Sequence, residues 1–142
     1  AIYLNTQLSQ LPGIAPMRRD KRETAGACYN FSFRYKQEQF KDLPVAQFRE
    51  ALAAELGCAV DSSYKPLNAC SLYAPHTKPW RYKLTERHWK RIDPSRFELP
   101  VCQRVYERES VCLHHKVLMG PKSDMDLIVE AIQKVYDNVE DL

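Results

Sequence analysis

The sequence predicts a small α/β or α+β layer: a sheet of about three short strands with helices packed mainly on one face. Three observations carry that expectation. Tyr29, Phe31, Phe33 and Tyr35 alternate with Asn30, Ser32 and Arg34, the period of two of a half-buried strand. Val45, Phe48, Leu52 and Leu56 recur at helical spacing, as do Leu127, Ile128, Ala131, Ile132, Val135 and Val139. The stretches follow one another as helix, strand, helix, strand, long loop, helix, strand, helix.

From the start, residues 1–11 place Ile2, Leu4, Leu8 and Leu11 near helical spacing. Pro12-Gly13 stops this helix, because Pro lacks the donor and Gly permits the turn. A polar stretch, 18–26, leads to the strand over 28–35. Pro44 opens the second helix, where its fixed φ costs nothing, and Gly57 closes it. Residues 58–64 read as a short second strand. Residues 65–83 hold Pro66, Pro75 and Pro79, with Tyr73, Trp80 and Tyr82 among polar groups. No period holds there, so the stretch is a long loop. A short helix is expected over 85–92, and another from Pro100 with Val101, Cys102 and Val105 inward. Residues 111–115 make the third strand. Gly120-Pro121 turns the chain, and Ser123-Asp124-Met125-Asp126 has the form of a capping box at the start of the last helix.

A chain of 142 residues suits one domain, 1–142, able to bury about two-thirds of its unfolded surface. Three strands are few for that length, so the second face of the sheet is expected to pack on something outside the chain. The chain opens on Ala1-Ile2-Tyr3-Leu4, already helix-like, as a fragment of a longer protein would. The net charge is only +3. The basic stretch from Met17 to Arg22 is interrupted by Asp20 and followed by Glu23, a solvated loop rather than a nucleic-acid patch. The five cysteines are odd in number and contain no CxxC pair, which argues against structural zinc and fits free thiols in a reducing cytoplasm. No apolar run approaches the roughly 20 residues that span a bilayer, and no signal-peptide pattern opens the chain.

Little in the sequence marks chemistry. His114 and His115, adjacent on a strand, point to opposite faces and are poorly placed to share a metal ion. Cys112 and His114 can share a face, but nothing marks an oxyanion hole. Asp124 and Asp126 are explained by helix capping, and no GxGxxG, P-loop or GxSxG occurs. The loop 68–83 stands apart. It interleaves Asn68, Tyr73, His76, Lys78, Trp80 and Arg81, groups that hydrogen-bond, stack and attract anions. The bland alternative is a surface loop anchored by its aromatics.

The order of these pieces resembles the C-terminal small domain of the DegT/DnrJ/StrS family of aminotransferases. Residues 1–13 resemble the helix leaving the large domain, ending in Leu11-Pro12-Gly13-Ile14. Residues 29–35 resemble the aromatic first strand, and Tyr64-Lys65-Pro66-Leu67 the approach to an active-site loop. Leu99-Pro100-Val101, the strand near Val111 and the helix from Asp124 follow in the same order. Leu72-Tyr73-Ala74-Pro75-His76-Thr77-Lys78 and Leu113-His114-His115-Lys116-Val117-Leu118-Met119-Gly120 look most like the L-glutamine:inosose branch.

The resemblance implies a pyridoxal-phosphate enzyme whose Schiff-base lysine and pyridine partner lie on a large domain upstream of Ala1. It therefore implies no catalytic residue, cofactor ligand or metal in this chain. Asn68, Tyr73, His76 and Lys78 become substrate-side candidates. The large domain of the same chain, a second subunit and a small-molecule substrate are the implied partners, and the cytoplasm the implied place. Two rivals stand beside it: a free-standing metabolite-binding or regulatory module, and a purely structural interaction domain.

Overall fold

The computed structural model describes residues 1–72, 74, 77–81 and 83–142. The chain divides into two compact units, one of residues 1–63 with 107–142 and one of residues 64–106.

The first unit carries the sheet. Strands β1 (Ile14–Pro16), β2 (Asn30–Tyr35), β3 (Val60–Asp61) and β4 (Ser110–His114) lie in the order β1-β2-β4-β3, every neighbouring pair antiparallel. The alternation read from the sequence sets the two faces. Phe31, Phe33 and Tyr35 are buried while Asn30 and Arg34 are exposed. Phe31 sits opposite Leu113 and Phe33 opposite Val111, so one face is apolar. Asn30, Ser32 and Arg34 oppose His114, Cys112 and Ser110 on the other.

Strand β1 is an addition to the three strands expected. Three residues carry no readable period, and Pro16 speaks against a central strand. β1 is an edge strand, where a missing N–H leaves no partner unmet.

Helices α1 (Ile2–Leu8), α2 (Val45–Leu56) and α5 (Lys122–Asp137) supply the rest of the core. α1 buries Leu4 and Leu8; α2 buries Val45, Phe48 and Leu52; α5 buries Met125, Ile128, Ala131, Ile132 and Val135. α1 ends three residues earlier than its apolar spacing suggested, because Gln10 and Leu11 tighten into turns bonded three residues back. Gly57 closes α2 in the left-handed conformation, φ 61°, as its sequence position required. Tyr35, Phe40 and Phe48 pack with ring centroids 4.5–5.1 Å apart, and Tyr35 donates from its buried hydroxyl to the Leu43 carbonyl at 2.7 Å.

The start of α5 differs from expectation. It begins at Lys122 behind Pro121, with no side-chain cap, so Ser123 is a helical residue. The first turn is closed by the backbone alone, the Asp124 N–H donating to the Pro121 carbonyl at 3.1 Å. Asp126 instead accepts from the Tyr3 hydroxyl at 2.6 Å and ties α5 to α1. Leu127 is exposed, and Val139 lies beyond the helix in a 3-10 turn.

The second unit holds helices α3 (Glu86–Ile92) and α4 (Pro100–Arg104) among 3-10 turns at Leu67–Ala69, Pro79–Arg81 and Pro94–Arg96. Thr85 caps α3 by accepting from His88 N–H, and Glu86 pairs with Lys90 one turn on. None of the described side chains from 64 to 106 is buried. Val101 and Cys102, expected to face inward, are exposed on α4, and Val105 is half-buried.

Candidate functional site

The loop singled out in the sequence belongs to the second unit. Asn68 sits in the 3-10 turn behind Pro66, and its Nδ2 donates to the Phe97 carbonyl at 2.7 Å. That bond ties two stretches 29 residues apart around an apolar slot of about 240 Å³, lined by Leu67, Asn68, Ile92, Pro94, Phe97 and Leu99. The Oδ1 of Asn68 is enclosed without a hydrogen-bond partner among the described residues. Lys78 is exposed and Trp80 largely so. Tyr73 and His76 lie outside the described residues. Of the four residues the sequence pointed to, Asn68 is thus engaged in holding the turn, and Lys78 projects into solvent.

A larger cleft, about 780 Å³, lies in the first unit between the start of α1, the 17–28 stretch and β2. Its volume is that of small-molecule sites. Asn5, Arg18, Arg19, Phe31 and Ser32 are among its walls. Sequence reasoning missed it, since the walls come from three separate stretches and 18–26 read only as a polar connection. The basic residues of the 17–28 stretch are partly neutralised. Arg19 pairs with Glu23 at 3.4 Å, and Arg22 holds Asp20 with paired bonds of 2.9 and 2.7 Å. Those Arg22 bonds, side-chain first and then backbone, hold the Asp20 carboxyl down to about 2.

The histidine pair is arranged otherwise than the strand pattern implied. β4 ends at His114, and His115 opens a 3-10 turn, His115–Met119, so the alternation breaks between them. Their ring centroids lie 4.1 Å apart. Cys112 is buried with its Sγ 3.2 Å from Ser32 Oγ, whereas His114 is exposed. Among the described residues no group of three or more His, Cys, Asp or Glu gathers as metal ligands would.

The lysines do not offer a seat for pyridoxal phosphate. A Schiff-base lysine needs a sheltered pocket, but Lys36 is half-buried, the other lysines are exposed, and neither cleft is lined by one. No described helix is long and apolar enough to cross a membrane.

No family model matches the chain. It is 40% identical over 135 residues, 95% of its length, to the L-glutamine:2-deoxy-scyllo-inosose aminotransferase of Streptoalloteichus tenebrarius. It is 39% identical over all 142 residues to the protein of that name from Streptomyces fradiae. It is 37% identical, again over 142 residues, to the L-glutamine:scyllo-inosose aminotransferase of Streptomyces griseus. The chain spans about a third of the length of these relatives: 31%, 33% and 33%.

Proposed function

We propose, from a chain that corresponds to the C-terminal part of L-glutamine:inosose aminotransferases, that the protein carrying it moves an amino group from glutamine or glutamate to a keto-sugar or keto-cyclitol. The carrying observation is identity of 37–40% across nearly the whole chain to one third of enzymes so named. In this reading pyridoxal phosphate and its lysine belong to a large domain outside the chain. The enzyme works as a cytoplasmic homodimer. The 142 residues are not catalytic alone; they close the substrate pocket through the loop 68–83, with Asn68, Tyr73, His76 and Lys78 on the substrate side.

The second unit supports that role. It carries nine Lys and Arg against three Asp and Glu. Its Leu67, Leu72, Trp80 and Phe97 are at least half exposed. A segment with no buried described side chain has little to offset the roughly 1–2 kcal/mol per residue that ordering its backbone costs. Such a segment fits a wall that gains its packing from a larger protein or a ligand.

The test is the protein containing this chain, purified and given L-glutamine with scyllo-inosose. Visible absorbance of bound pyridoxal phosphate and transfer of the amino group, followed by mass spectrometry, are expected. The 142-residue chain alone is expected to transfer nothing. Absence of both signals from the longer protein, with metabolite binding retained, would establish the binding-module reading instead.

A further inference from the structure

Three rings meet where β2 begins and β4 ends, outside either cleft. Tyr29 is 69% exposed and its ring centroid lies 6.3 Å from both His114 and His115. The hydrogen bonds fix what each imidazole presents. His115 Nδ1 lies 3.1 Å from the Tyr29 main-chain carbonyl. A carbonyl only accepts, so Nδ1 carries the proton and the Nε2 of the neutral ring is an acceptor. His114 Nδ1 accepts from the Lys116 backbone N–H at 3.3 Å. An amide N–H only donates, so the neutral His114 ring carries its proton on Nε2 and donates there. Capping the 115–119 turn thus accounts for one nitrogen of His114, and holding Tyr29 for one nitrogen of His115. Among the described residues no hydrogen bond engages the second nitrogen of either ring.

We propose that Tyr29, His114 and His115 form a platform for a polyhydroxylated carbocycle, the ring of the cyclitol substrate. The inference rests on the aminotransferase reading and deepens it by adding a site outside the 68–83 loop. A cyclitol with equatorial hydroxyls has two faces of axial C–H, which lie well on an exposed aromatic ring. Its rim carries neighbouring hydroxyls, each both donor and acceptor. Two imidazoles 4.1 Å apart, one donating and one accepting, match a vicinal pair of them. An amino-acid donor, by contrast, brings a carboxylate, and none of these three side chains supplies a cation while the rings are neutral.

The test uses the 142-residue chain and two-dimensional NMR. Scyllo-inositol is titrated in, with glycerol and L-glutamine as separate arms. Scyllo-inositol is expected to move Tyr29, His114 and His115 saturably, with weak affinity in the millimolar range. Tyr29→Leu keeps the backbone carbonyl that His115 holds and removes the aromatic face. His115→Asn keeps a donor for that carbonyl and deletes the Nε2 acceptor. Each is expected to weaken binding by about fivefold, the loss of one modest interaction, with the remaining spectrum unchanged. If scyllo-inositol moves none of the three, or glycerol or glutamine moves them equally, the platform is refuted. It is refuted as well if both variants bind as the parent does. Amino transfer by the longer protein with no platform shifts would sink this proposal and leave the proposed function standing.

Discussion

Replacing Gly13 by alanine is expected to destabilise the sheet-bearing unit by about 2–5 kcal/mol, and replacing Gly57 by only about 1–2 kcal/mol. Both glycines have positive φ, 71° and 61°, so alanine meets the same left-handed backbone penalty at each. The surroundings differ. A Cβ on Gly57 would meet nothing within 4 Å. On Gly13 it would stand 2.5 and 2.8 Å from the Phe40 ring and 3.1 Å from Gln39 Cβ. Phe40 is fully buried against Tyr35, Phe48 and Tyr136 and has nowhere to retreat. Gly13 is itself pinned, donating to Gln39 Oε1 at 2.6 Å and accepting from Lys36 N–H at 2.8 Å. Overpacking of that kind costs about 1–3 kcal/mol. The loss of unfolded-state freedom on going from Gly to Ala is common to both sites and cancels in the comparison. With a urea dependence of about 2 kcal/mol per molar, the midpoint should fall by about 0.5–1 M for Gly57→Ala and about 1–2.5 M for Gly13→Ala. Tryptophan fluorescence would not follow this, since Trp80 and Trp89 both lie in the second unit. Near-ultraviolet circular dichroism of the tyrosines is the suitable signal. Equal effects at the two sites would refute the steric argument.

Other consequences are simpler to check. Tyr35→Phe strips the Leu43 carbonyl of its buried donor and should cost about 1–3 kcal/mol in the same urea assay; a loss below a few tenths would mean water replaces the hydroxyl. All five thiols should titrate in denaturant, whereas in the native protein Cys28 and Cys102 should react first and buried Cys112 last. By NMR the Asp20 carboxyl should titrate near 2, and Arg22→Gln should return it toward 3.8. Because the folded value is depressed, the Asp20–Arg22 interaction is fully present above the ordinary value and is lost as pH falls through about 2.

Local signals were legible wherever one chain segment decides its own fate. The β2 alternation, the α2 stripe from Val45 to Leu52 and the Gly57 stop are all settled within a dozen residues. What the sequence left unread depends on partners far along the chain. β1 is a strand only because Ile14 meets Tyr35 and Pro16 meets Phe33. Asp126 reads as a capping acid until Tyr3, 123 residues away, takes its oxygen. Asn68 is tied through its amide to the Phe97 carbonyl, 29 residues on, a contact that local spacing does not show.

The histidine pair carries the same lesson into function. Strand periodicity sends adjacent side chains to opposite faces, but that rule holds only while the strand lasts. Here β4 stops at His114, the Lys116 amide turns back onto its ring, and His115 swings alongside. A one-residue difference in where a strand ends therefore decides whether two imidazoles act apart or present a joined donor and acceptor. That boundary is set by the 115–119 turn and by the Tyr29 carbonyl, which lies just before β2, 86 residues earlier in the chain. Chemistry that rests on such a junction is invisible to spacing, and it is visible at once when the hydrogen bonds of each ring are followed to their partners.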